Sequence, residues 1–108
     1  MIFTGLTVTF LRHFGLGLGI TFPLLLSLAI LITLLGQIAG KKEGWSRVES
    51  FYWSFITATT VGYGDIRPID RTARVLAIII AFLGLLLSGI IVAVAVHATN
   101  LALDKIDH

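Results

Sequence analysis

The sequence predicts an all-α membrane protein in which two spanning helices enclose a short segment that enters the bilayer and returns. Three observations lead there. Of 108 residues, 56% are hydrophobic and 13% charged, too little polar surface to cover a soluble domain of this size. The charges are clustered, leaving residues 15–40 and 75–103 without Asp, Glu, Lys or Arg, and each run exceeds the roughly 20 residues that cross about 30 Å of hydrocarbon. Between them, residues 50–64 form a third uncharged stretch, too short to cross as a helix and closed by glycines.

Residues 1–14 are apolar with interspersed threonines and a basic end at Arg12 and His13. Two placements fit them: along the membrane surface, or as a helical extension of the first span. That span is assigned to residues 15–40, where Gly15, Gly17 and Gly19 give way after Pro23 to a Leu/Ile run. Pro23 is expected in the first turns or at a kink. The run is far longer than the roughly 7–15 apolar residues of a signal-peptide core. Lys41, Lys42, Glu43 and Gly44 end it, and Trp45 is placed to rest at the interface. Residues 48–59 contain no Gly or Pro and are assigned to a short helix, which residues 60–64 cannot continue. Asp65, Pro68, Asp70 and Arg71 make the return loop. The second helix is assigned to residues 72–103. Its 29 uncharged residues, at about 1.5 Å each, exceed the bilayer, so it tilts or protrudes.

The whole chain, residues 1–108, is thus one domain. The absence of cysteine excludes disulfides and thiolate metal sites. A net charge of +2 gives no reason to expect nucleic acid, and the basic residues beside the spans suit lipid headgroups. No nucleophile and base stand in a catalytic arrangement, which argues against an enzyme. The first span has no arginine ladder, which argues against voltage sensing of the usual kind.

The informative residues are Thr60, Val61, Gly62, Tyr63 and Gly64, followed by Asp65. Non-helical backbone at membrane depth is tolerated only where it is buried or lines an aqueous cavity. A permeating cation is the missing partner for its carbonyls. K⁺ stripped of water needs oxygens of moderate field strength, which backbone carbonyls aimed at a common axis supply. Carbonyls that all point one way require unusual dihedrals, and Gly62 and Gly64 permit them.

With its flanks, the stretch Phe51-Tyr52-Trp53-Ser54-Phe55-Ile56-Thr57-Ala58-Thr59-Thr60-Val61-Gly62-Tyr63-Gly64-Asp65 resembles the pore loop of potassium channels, specifically prokaryotic two-helix ones. The resemblance covers residues 49–95, and weakly the first span; four loops of this pentapeptide are the known example of a potassium filter. It implies that the carbonyls of Thr60, Val61, Gly62 and Tyr63, with the Thr60 hydroxyl, form stacked K⁺ sites in a filter completed by Gly64. It implies K⁺ as the permeant ligand, no cofactor, and a homotetramer, because one loop offers too few oxygens to surround an ion. The short helix would aim its partially negative C-terminal end, near Thr59, at the cavity below the filter. Tyr52, Trp53 and Tyr63 would form an aromatic cuff, with Asp65 as a further support. Gly84 falls at the position of a hinge glycine, with Gly89 one and a half turns later, and close helix packing is the other role such glycines serve. Ser88, Val92 and Val96 would face the water-filled path, the valines forming a gate that closes by dewetting. His97 is either a pH sensor near that end or an exposed helix-end residue. The implied location is a prokaryotic inner membrane with both termini cytoplasmic.

Two features run against the pattern. Ile56 stands where many relatives carry a carboxylic acid paired with the aspartate after the filter. The loop between the spans carries Lys41, Lys42, Arg47, Arg67, Arg71 and Arg74, against Arg12 and Lys105 at the ends. The positive-inside rule would place that loop in the cytoplasm. Four acidic residues share it, and the resemblance puts it outside. Two rival functions remain on the sequence: a nonselective cation channel, whose filters usually lose the tyrosine or second glycine, both kept here; and a non-conducting membrane subunit of a larger complex. A cytoplasmic regulatory domain or partner outside this chain is compatible with either.

Overall fold

The computed structural model describes residues 2–107, with side chains up to Lys105. The described residues form three helices in chain order: α1, Ile2–Glu43; α2, Arg47–Ala58; and α3, Arg71–Asp107. At about 1.5 Å per residue, α1 is about 63 Å long and α3 about 55 Å, and both exceed the roughly 30 Å of hydrocarbon. Residues 2–14 continue α1 as helix, and Pro23 lies well inside it rather than in its first turns. In the most apolar stretches of α1 and α3 only 6% and 11% of residues are buried. Core helices of a soluble protein would be mostly buried, so these helices need lipid or other copies to cover them.

Local chemistry sets the helix ends. Gly44 adopts φ +77° and Trp45 N–H reaches back to the Gly40 carbonyl at 2.9 Å, the six-to-one bond that closes a helix with a left-handed glycine. Two residues after Gly44, Ser46 opens α2: its hydroxyl accepts from Glu49 N–H at 3.1 Å while the Glu49 carboxylate accepts from Ser46 N–H at 3.0 Å, a reciprocal capping box. Asp70 opens α3, its carboxylate accepting from Thr72 N–H at 2.9 Å.

The chain forms two compact units. Residues 26–88 make the larger, with the C-terminal part of α1, all of α2, the connecting loop and the start of α3. Its core is Ile32, Ala39, Trp53, Ala58, Ala73 and Ile80. Trp45, half-buried, packs against this core on Trp53 with ring centroids 5.0 Å apart. Ser50 and Ser54 lie one turn apart on α2 and are fully buried against Gly40 and Gly36 of α1. A Cβ on Gly36 would stand 2.5 Å from that of Ser54, and one on Gly40 would collide with Ser50. The serine hydroxyls bond α2's own turn, at Ser46 O (2.8 Å) and Phe51 O (2.8 Å), which lets polar side chains sit inside at no cost in unpaired donors. On the other flank of α2, Gly84 of α3 lies so close to Ala58 that a Cβ would strike the Ala58 carbonyl.

One long-range anchor fixes the return loop. The partly buried Glu43, at the end of α1, accepts from Ile69 N–H at 2.7 Å and Asp70 N–H at 2.6 Å. Gln37 Nε2 donates to Arg47 O at 3.0 Å, tying α1 to the first turn of α2.

The second unit contains residues up to 25 and from 89 on. There Ala98 and Ala102 are buried, Phe10 stacks on Phe14 at 5.4 Å, and Gly17 admits the Val94 side chain.

Two outcomes are expected. Gly84→Ala drives a methyl into backbone and lowers stability by about 1–3 kcal/mol, whereas Gly89→Ala, with open space at that point in the chain, is neutral or gains up to about 1 kcal/mol of helix propensity; heat resistance of the detergent-solubilised assembly separates the two. Glu43→Ala speeds amide hydrogen exchange at Ile69 and Asp70 about tenfold or more, the scale of one lost charge-assisted hydrogen bond (about 1.5 kcal/mol). Unchanged exchange at both amides refutes the anchor.

Candidate functional site

The loop after α2 begins as a controlled exit from the helix. Thr59 N–H bonds Phe55 O at 2.9 Å, Thr60 N–H bonds Thr57 O at 3.2 Å, and Gly62 N–H bonds Ile56 O at 3.2 Å. The Thr59 hydroxyl donates to Phe55 O at 2.6 Å and the Thr60 hydroxyl to Thr59 O at 2.6 Å. Thr60, Gly62 and Gly64 have φ of 65°, 51° and 81°, while Val61 and Tyr63 stay at negative φ. The sign thus alternates along residues 60–64, as a row of carbonyls on one side of the chain requires. The glycines take this conformation freely, but Thr60 is β-branched and is held there at a cost of about 1–3 kcal/mol. Sequence reasoning assigned positive φ to the glycines alone, and nothing local marks Thr60. The carbonyls of residues 60–63 accept no hydrogen bond within the described chain, and residues 59–65 are all exposed.

Behind the loop lies a cavity of about 320 Å³, lined among others by Tyr52, Trp53, Ile56, Gly62, Gly64 and Asp65. Ile56 and Asp65, expected to face each other, therefore share one space. The Tyr52 hydroxyl lies beside the Asp65 carboxylate, close enough for the two to interact electrostatically. Partial burial and the neighbouring Asp65 carboxylate hold the phenol above its ordinary pKa of 10.0, with Tyr63 adding a smaller push.

The aromatic cuff is only partly assembled within one chain. Trp53 is 4% exposed and packed on Trp45, whereas Tyr52 and Tyr63 are 37% and 71% exposed. Any packing of Tyr63 must come from outside the chain. Ser88, Val92 and Val96 follow at a spacing of four along α3; Ser88 is half-buried, and the valines are exposed. Gly84 is buried against α2, so a bend there would have to lift α3 off the Ala58 carbonyl. Glu43 and Trp45 were not among the residues sequence reasoning gave a role around the loop. Glu43's partners lie 26 and 27 residues away, beyond any local pattern.

Over 49 residues the chain is 55% identical to TWiK family of potassium channels protein 7 of Caenorhabditis elegans, an overlap that is 43% of this chain and 9% of that protein. It is 38% identical over 65 residues to two-pore potassium channel 4 of Arabidopsis thaliana, covering 56% and 23%. It is 38% identical over 52 residues to human potassium voltage-gated channel subfamily A member 5, covering 48% and 8%. The chain thus spans less than a quarter of the length of these relatives. No solved structure matches it significantly. The model of a family described as "Ion channel" matches residues 16–100, most of the chain with both long helices and the loop between them. The chain belongs to this ion-channel family, a family of channels and not of enzymes.

Proposed function

We propose that the chain is the pore-forming subunit of a potassium-selective channel, and that four copies bring residues 60–64 to a common axis. One observation carries this reading. The Thr60-Val61-Gly62-Tyr63-Gly64 loop leaves the C-terminal end of a short helix between two long apolar helices, with φ alternating in sign and its carbonyls without partners in the chain. Carbonyls of Thr60, Val61, Gly62 and Tyr63 from four loops replace the hydration shell of K⁺, and the C-terminal end of α2 lends partial negative charge to the cavity below. Potassium channels among the relatives support the choice of ion, and the exposed apolar faces of α1 and α3 support burial in lipid and between subunits. In this reading Tyr52 and Asp65 brace the filter from behind, Trp53 seats the pore helix, and Ser88, Val92 and Val96 line the inner path.

The return loop is placed outside the cell and both termini inside. Support comes from the tyrosine end of the filter, which the resemblance assigns to the outer mouth, and from the carboxylates of Glu43 and Asp70, which are engaged in the loop and offset its basic residues. The prokaryotic origin and inner-membrane location rest on the resemblance alone.

The purified protein in planar bilayers is expected to pass K⁺ and Rb⁺ far better than Na⁺, and cross-linking is expected to stop at four chains. Equal K⁺ and Na⁺ permeability in a bi-ionic reversal-potential measurement makes it a nonselective channel, and silence in active reconstitutions makes it a non-conducting subunit.

The brace behind the filter has its own test. Tyr52→Phe removes the hydroxyl and is expected to accelerate inactivation without changing ion preference. Because the phenol's pKa is raised, the contribution of this contact is complete below about pH 10 and is lost only as pH climbs through the folded-state value. Wild-type filter stability should therefore be flat from about pH 6 to 9. Ile56→Glu places a second carboxyl in the cavity with Asp65 and creates a coupled pair titrating near neutrality. A pH-insensitive current in that variant between about pH 5 and 8 removes Ile56 from the vicinity of Asp65.

A further inference from the structure

The unit of residues up to 25 and from 89 on carries a second constellation that ion conduction does not use. A groove of about 380 Å³ is lined on α1 by residues at helical spacing, from His13 through Gly17 to Thr21, and on α3 from Ile90 through Val94 to His97. Gly17 touches Val94, its missing Cβ leaving room for the Val94 Cγ1, which would lie 2.6 Å from it. Phe10 shares a second groove with Thr99, so α1 and α3 run antiparallel here. One turn back from Gly17 on α1 is His13, and one turn on from Val94 on α3 is His97. The register therefore sets the two histidines opposite each other at one end of the groove.

The rest of the groove offers no competing chemistry. Its walls are apolar apart from Thr21, whose hydroxyl is spent on Gly17 O at 2.9 Å. No carboxylate lines it. Neither imidazole has a hydrogen-bond or ion-pair partner among the described residues, which leaves both rings available.

We propose that His13 and His97 form a two-histidine site for a divalent transition metal of the Zn²⁺ class, tying α1 to α3. Neutral imidazole is the commonest protein ligand for such ions. Nitrogen ligands without carboxylates favour Zn²⁺, Ni²⁺ or Cu²⁺ and discriminate against Mg²⁺ and Ca²⁺, which require oxygen. Water completes the coordination shell at this end of the groove, beside Arg12 and the start of the uncharged run at residue 15. A metal held by both helices fixes their separation at this level, whatever the filter does.

The test uses the untagged chain of residues 1–108 in detergent micelles and Zn²⁺ alone, followed by calorimetry, so that no readout depends on conduction. Saturable binding of one Zn²⁺ per chain is expected, undisturbed by excess Mg²⁺ and unchanged by His108→Ala. His13→Ala and His97→Ala are each expected to weaken it at least tenfold, with helical circular dichroism retained. A second variant guards against misfolding: the double substitution H13C/H97C should bind Cd²⁺ at least tenfold more tightly than the wild type does. Absence of saturable Zn²⁺ binding, binding that survives either alanine substitution, or no gain of Cd²⁺ affinity in the double variant each overturns the proposal.

Discussion

Everything around the loop depends on how closely α2 approaches its two neighbours. Ser50 and Ser54 lie against Gly40 and Gly36 on one side, and the Ala58 backbone lies against Gly84 on the other. In lipid there is no hydrophobic gain from helix contact, since acyl chains are as apolar as leucine, and association rests on close packing of small residues. Removing three side chains from the flanking helices lets α2 sit at backbone distance from both. The exit point of residues 60–64 is thereby set by backbone contact, which is far less deformable than contact between long side chains.

The same economy governs the polar groups. No buried side-chain nitrogen or oxygen among the described residues lacks a partner. Serine and threonine hydroxyls return to carbonyls of their own helices, at Ser50, Ser54, Thr21, Thr33 and Thr99, and two carboxylates, Glu43 and Asp70, serve the amides at the head of α3. Against that background the carbonyls of residues 60–63 stand out as the acceptors that the chain does not use. The element satisfies its hydroxyls this thoroughly while leaving four consecutive carbonyls unpaired within the described chain, and it holds a threonine in left-handed conformation beside its glycines.

Gly84 changes meaning in this setting. Its position on α3 suggested a hinge, with packing as the other role, and the packing is present. A bend at Gly84 would disturb the seat of α2 and so the loop of residues 60–64 that leaves it. Gly89, where an added Cβ would meet no other element of the described chain, has no such contact. The position of α3 and the seat of α2 are thus linked through one contact at Gly84, in a way that the spacing of glycines along α3 does not reveal.

What the sequence determined by itself were the features that depend on neighbouring residues: two apolar runs too long for anything but a span, a short helix free of Gly and Pro, and a glycine-punctuated loop that cannot be helical. The pairing of position 56 with Asp65 was expected through the resemblance, and both residues line one cavity. Only the tertiary structure decided that residues 2–14 are helical, that Trp45 packs on Trp53, that Glu43 reaches the amides of Ile69 and Asp70, that Tyr52 lies beside Asp65, that Thr60 joins the glycines at positive φ, and that His13 and His97 line one groove. Hydrophobic run length and backbone permissiveness are written in adjacent residues. The angle at which two helices meet, and which small residue lies at the crossing, depends on packing between segments tens of residues apart, which no local pattern encodes.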